Sequence, residues 1–199
     1  MRTNDHLRHH ARKIIVLGTA LVAAAAGLTA AVPGSADAAT TSGQHSLTSA
    51  ALSTGYPLGL GSRDVNAANR QVSQLQYLLR RYVPSLAVDG QYGYRTQTAV
   101  RTFQKAERLA NTGSMRTNAD WIRLFERNAI RYGSTGNAVR AAQLRLANQY
   151  GTIFGVTVDG SFGPKTLKAV RAYQSAFQRP VTGIVNVTTW DVLFEGLSA

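Results

Sequence analysis

A nine-residue motif with the residue types of an anion-binding turn occurs twice in this sequence, at 88–96 and at 158–166. Each copy has an Asp-Gly pair, an aromatic residue, a glycine before a predicted helix, and one cation near the start of that helix. Free backbone N–H groups and the positive end of a helix dipole favour a carboxylate at such a place. The cations Arg95 and Lys165 are therefore predicted to pair with a ligand carboxylate, the alternative being that both are ordinary solvated side chains.

Other side chains near the two motifs complete the set of candidate ligand-binding residues. The aromatic residues are expected to pack against the same ligand. Each Asp can instead brace its own turn, and a glutamine in each following helix can instead satisfy backbone groups of a loop. The candidate set is Asp89, Tyr92, Tyr94, Arg95, Gln104, Asp159, Phe162, Lys165 and Gln174.

Side chains that perform covalent or metal chemistry are scarce. The chain has no cysteine, and downstream of residue 38 its one histidine is His45. A His-based zinc site or a Ser-His-Asp triad is therefore excluded from the repeated region. Two carboxylate pairs, Glu107 with Asp120 and Glu126 with Asp89, remain open for a glycosidase, although their spacing does not favour one. The sequence predicts a non-catalytic protein with no metal and no cofactor.

The first 38 residues have the layout of a secretory signal peptide. A basic start precedes an apolar run from Ile14 to Val32, and Ala36-Asp37-Ala38 provides the small residues of a cleavage site. Cleavage after Ala38 predicts a secreted, extracellular or wall-associated product with no membrane contact after processing. A retained membrane anchor is the alternative. Residues 39–62 are rich in Ser, Thr, Ala and Gly and are predicted to form a flexible linker.

The rest of the chain is an internal duplication. Residues 88–104 and 158–174 share nine of 17 aligned positions. Matched positions upstream and downstream lie 67 and 69 residues apart, so the length differences fall between the matched blocks, where loops are expected. We predict module 1 at 63–126, a short bridge at 127–134 that permits the copies to dock, and module 2 at 135–199.

Each module is predicted to be an all-α unit of three helices. In the first helix Val72, Leu75 and Leu79 form one apolar stripe, and glycine turns separate the following helices. Trp121 and Trp190 lie in the apolar stripes of the third helices and are predicted to be core anchors. Each module carries its own three stripes, so each is also predicted to fold alone.

The repeated pattern resembles the peptidoglycan-binding domain family, a three-helix module of bacterial cell-wall proteins. The resemblance is carried twice, by D-G-x-[aromatic]-G-x-x-T-x-x-A-V-x-x-[aromatic]-Q after a first helix of the Val-x-x-x-Gln type, and it covers residues 63 to 198. It implies peptidoglycan, through its glycan strand or stem peptide, as the partner. Three departures are Ala142 in place of a family leucine, Arg179 where Leu109 fits the pattern, and Thr-Gly rather than Asp-Gly in both second turns.

The positive net charge permits further classes of binding partner. The whole chain has 22 Lys and Arg against 10 Asp and Glu, and removal of residues 1–38 leaves a balance of +10. Such a field favours polyanions, which for a secreted protein points to anionic wall polymers rather than nucleic acid. A peptidoglycan-binding protein without catalysis is the first reading of the sequence. A small wall hydrolase, or an accessory subunit of one, is the second, and a basic nucleic-acid binder is the third.

Overall fold

The computed structural model describes residues 57–67 and 69–195. Within these ranges the fold is all-α, as predicted, with isolated bridges but no strand. The predicted signal peptide and most of the predicted linker lie outside the described residues. In the part of the chain that is described, no helix has the length and apolar character needed to cross a membrane. The helices are α1 (Gln71–Leu79), α2 (Tyr94–Ala106), α3 (Asn118–Arg127), α4 (Asn137–Phe154), α5 (Pro164–Ala176) and α6 (Val187–Glu195).

The three helices of module 1 correspond in order to those of module 2. The predicted stripe residues are core residues: Val72, Leu75 and Leu79 are all buried. Thr117 caps α3 through a reciprocal pair of hydrogen bonds with Asp120. In α6 the Asn186 side chain accepts the hydrogen bond from the Thr189 amide and so caps the helix. Asparagine performs this role because its short amide oxygen reaches the third backbone N–H of the helix.

A short extended segment precedes the first helix of each module. In module 1, Leu58 exchanges two backbone hydrogen bonds with Met115, and in module 2 Ile130 exchanges two with Val185. The segment 57–62 was assigned to the flexible linker, yet Leu58 is buried. The fold of module 1 therefore extends upstream of residue 63, and the bridge 127–134 performs the same role for module 2. These pairings join residues more than 50 positions apart, which local sequence patterns do not reveal.

The two modules share one core. Helix α1 packs against α4, where the Gln74 side-chain amide donates to the Ala141 carbonyl at 3.2 Å. Sequence periodicity predicted one buried stripe on α1, but Ser73, Gln74 and Leu78 are buried as well. The reason is that module 2 covers the face of α1 that module 1 leaves open.

An aromatic cluster closes the other end of this interface, between α3 and α6. Phe125 stacks on Trp190 at 6.1 Å between ring centroids, and Phe194 lies 5.2 Å from both Trp121 and Phe125. Both tryptophans are buried, in agreement with their predicted role as core anchors. These rings are contributed by both modules, so the shared core argues against the sequence-based expectation that each module folds alone.

Equivalent first helices differ in length, with nine residues in α1 and 18 in α4. Pro84 follows α1, and a proline lacks the backbone N–H that a continuing helix needs. Helix α4 meets no proline and ends where Gly155 takes a left-handed conformation with φ of 63°. After α1 the chain instead passes through the loop 80–88 before it reaches the Asp-Gly turn.

Candidate functional site

The first glycine turn of each module is held by a glutamine from the first helix. Gln76 Nε2 donates to Asp89 Oδ1 at 2.8 Å and to the Gln91 carbonyl at 3.0 Å, while its Oε1 accepts from the Gly90 amide at 3.0 Å. Gln143 makes the same contacts with Asp159, Ser161 and Gly160. Gly90 and Gly160 have φ of 71° and 79°, a conformation that side chains with a Cβ rarely adopt. The motif therefore specifies a rigid turn.

The two aspartates are exposed, but their carboxylates are engaged within the turns. Asp89 Oδ1 also accepts from the Gln91 amide at 2.9 Å, and Asp159 Oδ1 accepts from the Ser161 amide at 2.7 Å. The hydrogen bonds from Gln76 and from the Gln91 amide lower the pKa of Asp89. The Ser161 amide and then Gln143 lower the pKa of Asp159 in the same way. Both carboxylates are thus ionised turn braces.

The second glycine turn, at 111–115 and 181–185, repeats this arrangement with a glutamine from the second helix. Gln104 and Gln174 are fully buried. Gln104 Oε1 accepts from the Gly113 amide at 2.9 Å, and Gln174 Oε1 accepts from the Gly183 amide at 2.9 Å. Their Nε2 groups donate to the turn carbonyls and to α3 or α6 side chains. These candidates have no face open to a ligand, so they do not enter the site proposed below.

Threonine replaces the family aspartate in this second turn without loss of the brace. Thr112 Oγ1 accepts from Gln104 Nε2 at 3.2 Å and from the Ser114 amide at 3.2 Å. Thr182 does the same with Gln174 and Ile184. The hydroxyl therefore supplies the acceptor that a carboxylate supplies in the first turn.

The aromatic residues of the motif divide into buried and exposed. Tyr92 and Phe162 are each 1% exposed. The Tyr92 hydroxyl donates to the Gly113 carbonyl at 2.9 Å, which ties the two turns of module 1 together, and burial raises the pKa of this phenol. Both residues are core side chains and present no surface to a ligand. Tyr94, in contrast, is 76% exposed.

The exposed Tyr94 and Arg95 line a groove in module 1. The groove has a volume of about 400 Å³ and runs between α2 and the loop 80–88. The loop side includes Val83, Leu86 and Ala87, and the helix side includes Tyr94, Arg95 and Thr98. We call this the module 1 groove. Its walls combine apolar surface, one aromatic ring and one guanidinium, a composition that suits a small aliphatic ligand with a carboxylate.

Two features hold and polarise the groove. Arg80 Nε donates to the Leu86 carbonyl at 2.7 Å, which fixes the loop wall. Helix α2 begins after Gly93 with no side-chain cap, and no acidic residue lies in its first turn. Arg95 is exposed at this positive helix end. Sequence reasoning identified Tyr94 and Arg95 but missed the loop wall, for which the only local signal was the apolar Val83 and Leu86 after the end of α1.

Lys165, the counterpart of Arg95, has different surroundings. A Cβ placed on Gly155 would lie 3.3 Å from Lys165 Nζ, so the ammonium group lies over the last turn of α4. The C-terminal end of a helix carries partial negative charge and stabilises a cation there. The structure therefore brings Tyr94 and Arg95 together at a groove and places Lys165, which is also exposed, beside the end of α4.

The carboxylates considered for a glycosidase already have partners. Glu107 contacts Arg127 and Tyr82, and Glu126 contacts Arg123. Asp120 accepts from buried Gln104 and caps α3. Among the described residues, no group of three or more His, Cys, Asp or Glu side chains could hold a metal ion.

Comparisons with known proteins agree with this architecture. The family model of a peptidoglycan binding domain matches residues 68–115 and 135–193, more than half of the chain. A zinc D-Ala-D-Ala carboxypeptidase of Streptomyces albus G is 40% identical over 63 residues, which cover 32% of this chain and 25% of that enzyme. The "Uncharacterized protein in bpoA1 3'region" of Kitasatospora aureofaciens is 45% identical over 56 residues, or 28% of this chain and 47% of that protein.

The match thus spans a quarter of the length of the carboxypeptidase and about half of the length of the Kitasatospora protein. No solved structure matches significantly. The family match falls on both copies of the repeat and includes both Asp-Gly turns that the glutamines hold. On these grounds the chain belongs to the peptidoglycan-binding domain family.

Proposed function

We propose that this chain is a secreted, wall-associated protein that binds the stem peptide of peptidoglycan without cleaving it. The observation that carries the proposal is the module 1 groove, which is lined by a cationic and an aromatic residue together with apolar residues of the loop 80–88. Family membership supports peptidoglycan as the partner and cell-wall association as the location.

The chemistry of the groove favours the end of a stem peptide over a sugar. A peptide that ends in alanine has small methyl groups and a terminal carboxylate. The methyl groups suit the walls formed by Val83, Leu86 and Ala87, and the carboxylate suits Arg95. One relative is named for action on D-Ala-D-Ala, which supports a peptide of this kind as the ligand.

The absence of catalysis is part of the proposal. The candidate carboxylates are engaged in ion pairs, caps or turn braces, as described above. The relative with an enzyme name is matched over a quarter of its length, so its activity is not carried over to this chain. Stained cell walls incubated with the protein should release no dye. Release would instead support the alternative of a small wall hydrolase.

The direct test is a sedimentation assay with residues 39–199 and purified peptidoglycan from which teichoic acids have been stripped. Saturable binding is expected, because the groove recognises the peptide and not the anionic polymers. A synthetic stem peptide ending in D-Ala-D-Ala should compete, and the same peptide with a C-terminal amide should compete less.

The +10 charge makes a diffuse polyanion effect the second candidate. That candidate predicts strong retention on heparin or DNA, steep loss with salt, and no saturable binding to the stripped peptidoglycan. This outcome would overturn the stem-peptide proposal.

A further inference from the structure

We infer that the two modules are not equivalent binding units: module 1 alone accepts a stem-peptide carboxylate at its groove, and module 2 acts as the support that completes the fold. This inference rests on the proposed function and deepens it. It concerns which copy of the duplicated motif has kept an open site.

The aromatic wall is present in one copy only. Tyr94 of module 1 is 76% exposed and lines the groove, and the aligned residue of module 2 is Pro164. Proline suits the first turn of α5 because it needs no backbone N–H partner there. Its small ring does not extend outward as a tyrosine does, so module 2 lacks this wall.

The cation is also used differently in the two copies. Arg95 and Lys165 are both exposed, but Arg95 lines the groove. Lys165 Nζ lies over Gly155 at the C-terminal end of α4, where the helix dipole attracts it. In module 2 the C-terminal end of α4 therefore lies beside Lys165. In module 1 we assign the corresponding place, beside Arg95, to the carboxylate of the ligand.

The loop wall is replaced as well. Helix α1 ends at Leu79, and the loop that follows it contributes Val83, Leu86 and Ala87 to the groove. Helix α4 instead continues to Phe154. Its Tyr150 packs edge-on against Tyr173 at 6.2 Å between ring centroids, as Tyr82 of the module 1 loop packs against Phe103 at 5.2 Å. Module 2 therefore has a continued helix where module 1 has the loop wall.

Helix α4 also contacts module 1. It packs against α1 of module 1, where Gln74 bonds to Ala141. The same element that carries Tyr150 and Gly155 therefore supports the first helix of module 1. Module 2 contributes to binding by holding module 1 in place.

The experiment uses residues 39–199 and a synthetic stem peptide ending in D-Ala-D-Ala, with calorimetry to give affinity and stoichiometry. We expect one peptide per chain. Arg95→Glu should weaken binding at least tenfold, and Lys165→Glu should change it less than twofold. Both variants alter the net charge equally, so a difference between them reports position and not overall charge. Arg95→Gln, a milder change, should also weaken binding, and circular dichroism checks that each variant is folded.

A stoichiometry of two, or an equal loss in the Arg95 and Lys165 variants, would overturn the inference while leaving peptidoglycan binding intact. Failure of the unaltered protein to bind the peptide would instead overturn the proposed function, and the inference with it. These two failures are therefore separate results of one experiment.

Discussion

The indole Nε1 of Trp190 donates a hydrogen bond to the Asn128 carbonyl at 3.0 Å. Asn128 directly follows α3 of module 1, and Trp190 lies in the first half of α6, so this bond ties the C-terminal end of α3 to the third helix of module 2. Both residues are buried, and water therefore cannot replace the bond if it is lost.

Trp190→Ala should destabilise the whole chain by about 3–5 kcal/mol, the usual cost of removing a buried large aromatic side chain. Because the core is shared, the remaining structure should melt in a single transition at a lower temperature, measured by circular dichroism. Tyr132→Ala is the control, since Tyr132 is 58% exposed and its loss should cost no more than about 0.5 kcal/mol. Two separate transitions would show that the modules fold independently, as sequence alone suggested.

Replacement of the buried turn glutamines separates a structural role from a ligand-binding role. Gln104→Leu removes the acceptor for the Gly113 amide and the donor to Asp120, which should cost roughly 1–3 kcal/mol per unsatisfied buried group. Denaturant unfolding measures this loss. Under conditions where the variant is folded, its affinity for the stem peptide should match that of the unaltered protein. A tenfold loss of affinity in the folded variant would show that Gln104 takes part in ligand binding.

Tyr94→Ala tests the aromatic wall of the groove. Since the side chain is 76% exposed, the variant should keep its stability, while loss of aromatic packing worth about 0.5–1.5 kcal/mol should weaken peptide binding by roughly twofold to tenfold. The matched control is Tyr132→Ala, which removes the same side chain from an exposed position outside the groove. If Tyr94→Ala and Tyr132→Ala changed the affinity for the peptide equally, Tyr94 would not be part of a specific binding groove.

Acid should weaken the fold through Glu107. Burial alone would raise the pKa of this carboxyl, but hydrogen bonds from Arg127 and Tyr82 outweigh burial and lower it below the ordinary value of 4.5. A carboxyl whose pKa is lowered in the folded state stabilises the fold above its ordinary pKa, and this contribution is lost as pH falls through the folded value. Stability should therefore decrease below about pH 4.5.

Glu107→Gln isolates this contribution. The variant should be less stable than the unaltered protein by up to about 1 kcal/mol at neutral pH, because the cationic partners are about half exposed. The difference should shrink as pH falls below about 4.5, followed by denaturant unfolding at several pH values. A difference that is constant with pH would show that the effect is not ionic. Glu126→Gln is the exposed control, since that carboxylate is 40% exposed and paired with Arg123.

Local patterns in the sequence were sufficient for the elements of each module. The apolar stripe of Val72, Leu75 and Leu79, the duplicated Asp-Gly turns and the buried tryptophans all follow from spacing and residue type. These features depend on neighbours a few positions apart, on helix periodicity and on the special conformations of glycine. The family resemblance is built from the same local features, and it was confirmed for this reason.

The candidate site needed the tertiary structure. The sequence presents Tyr92 and Tyr94, or Arg95 and Lys165, as similar side chains in similar motifs, yet Tyr92 is buried and Tyr94 exposed. Lys165 meets the end of α4, while Arg95 borders an open groove. The difference arises from the length of the first helix, from the loop after α1 and from the docking of the modules. These features determine which side of a motif packs against protein and which side is exposed to solvent. Those contacts join residues far apart in the chain, and periodicity within one helix carries no information about them.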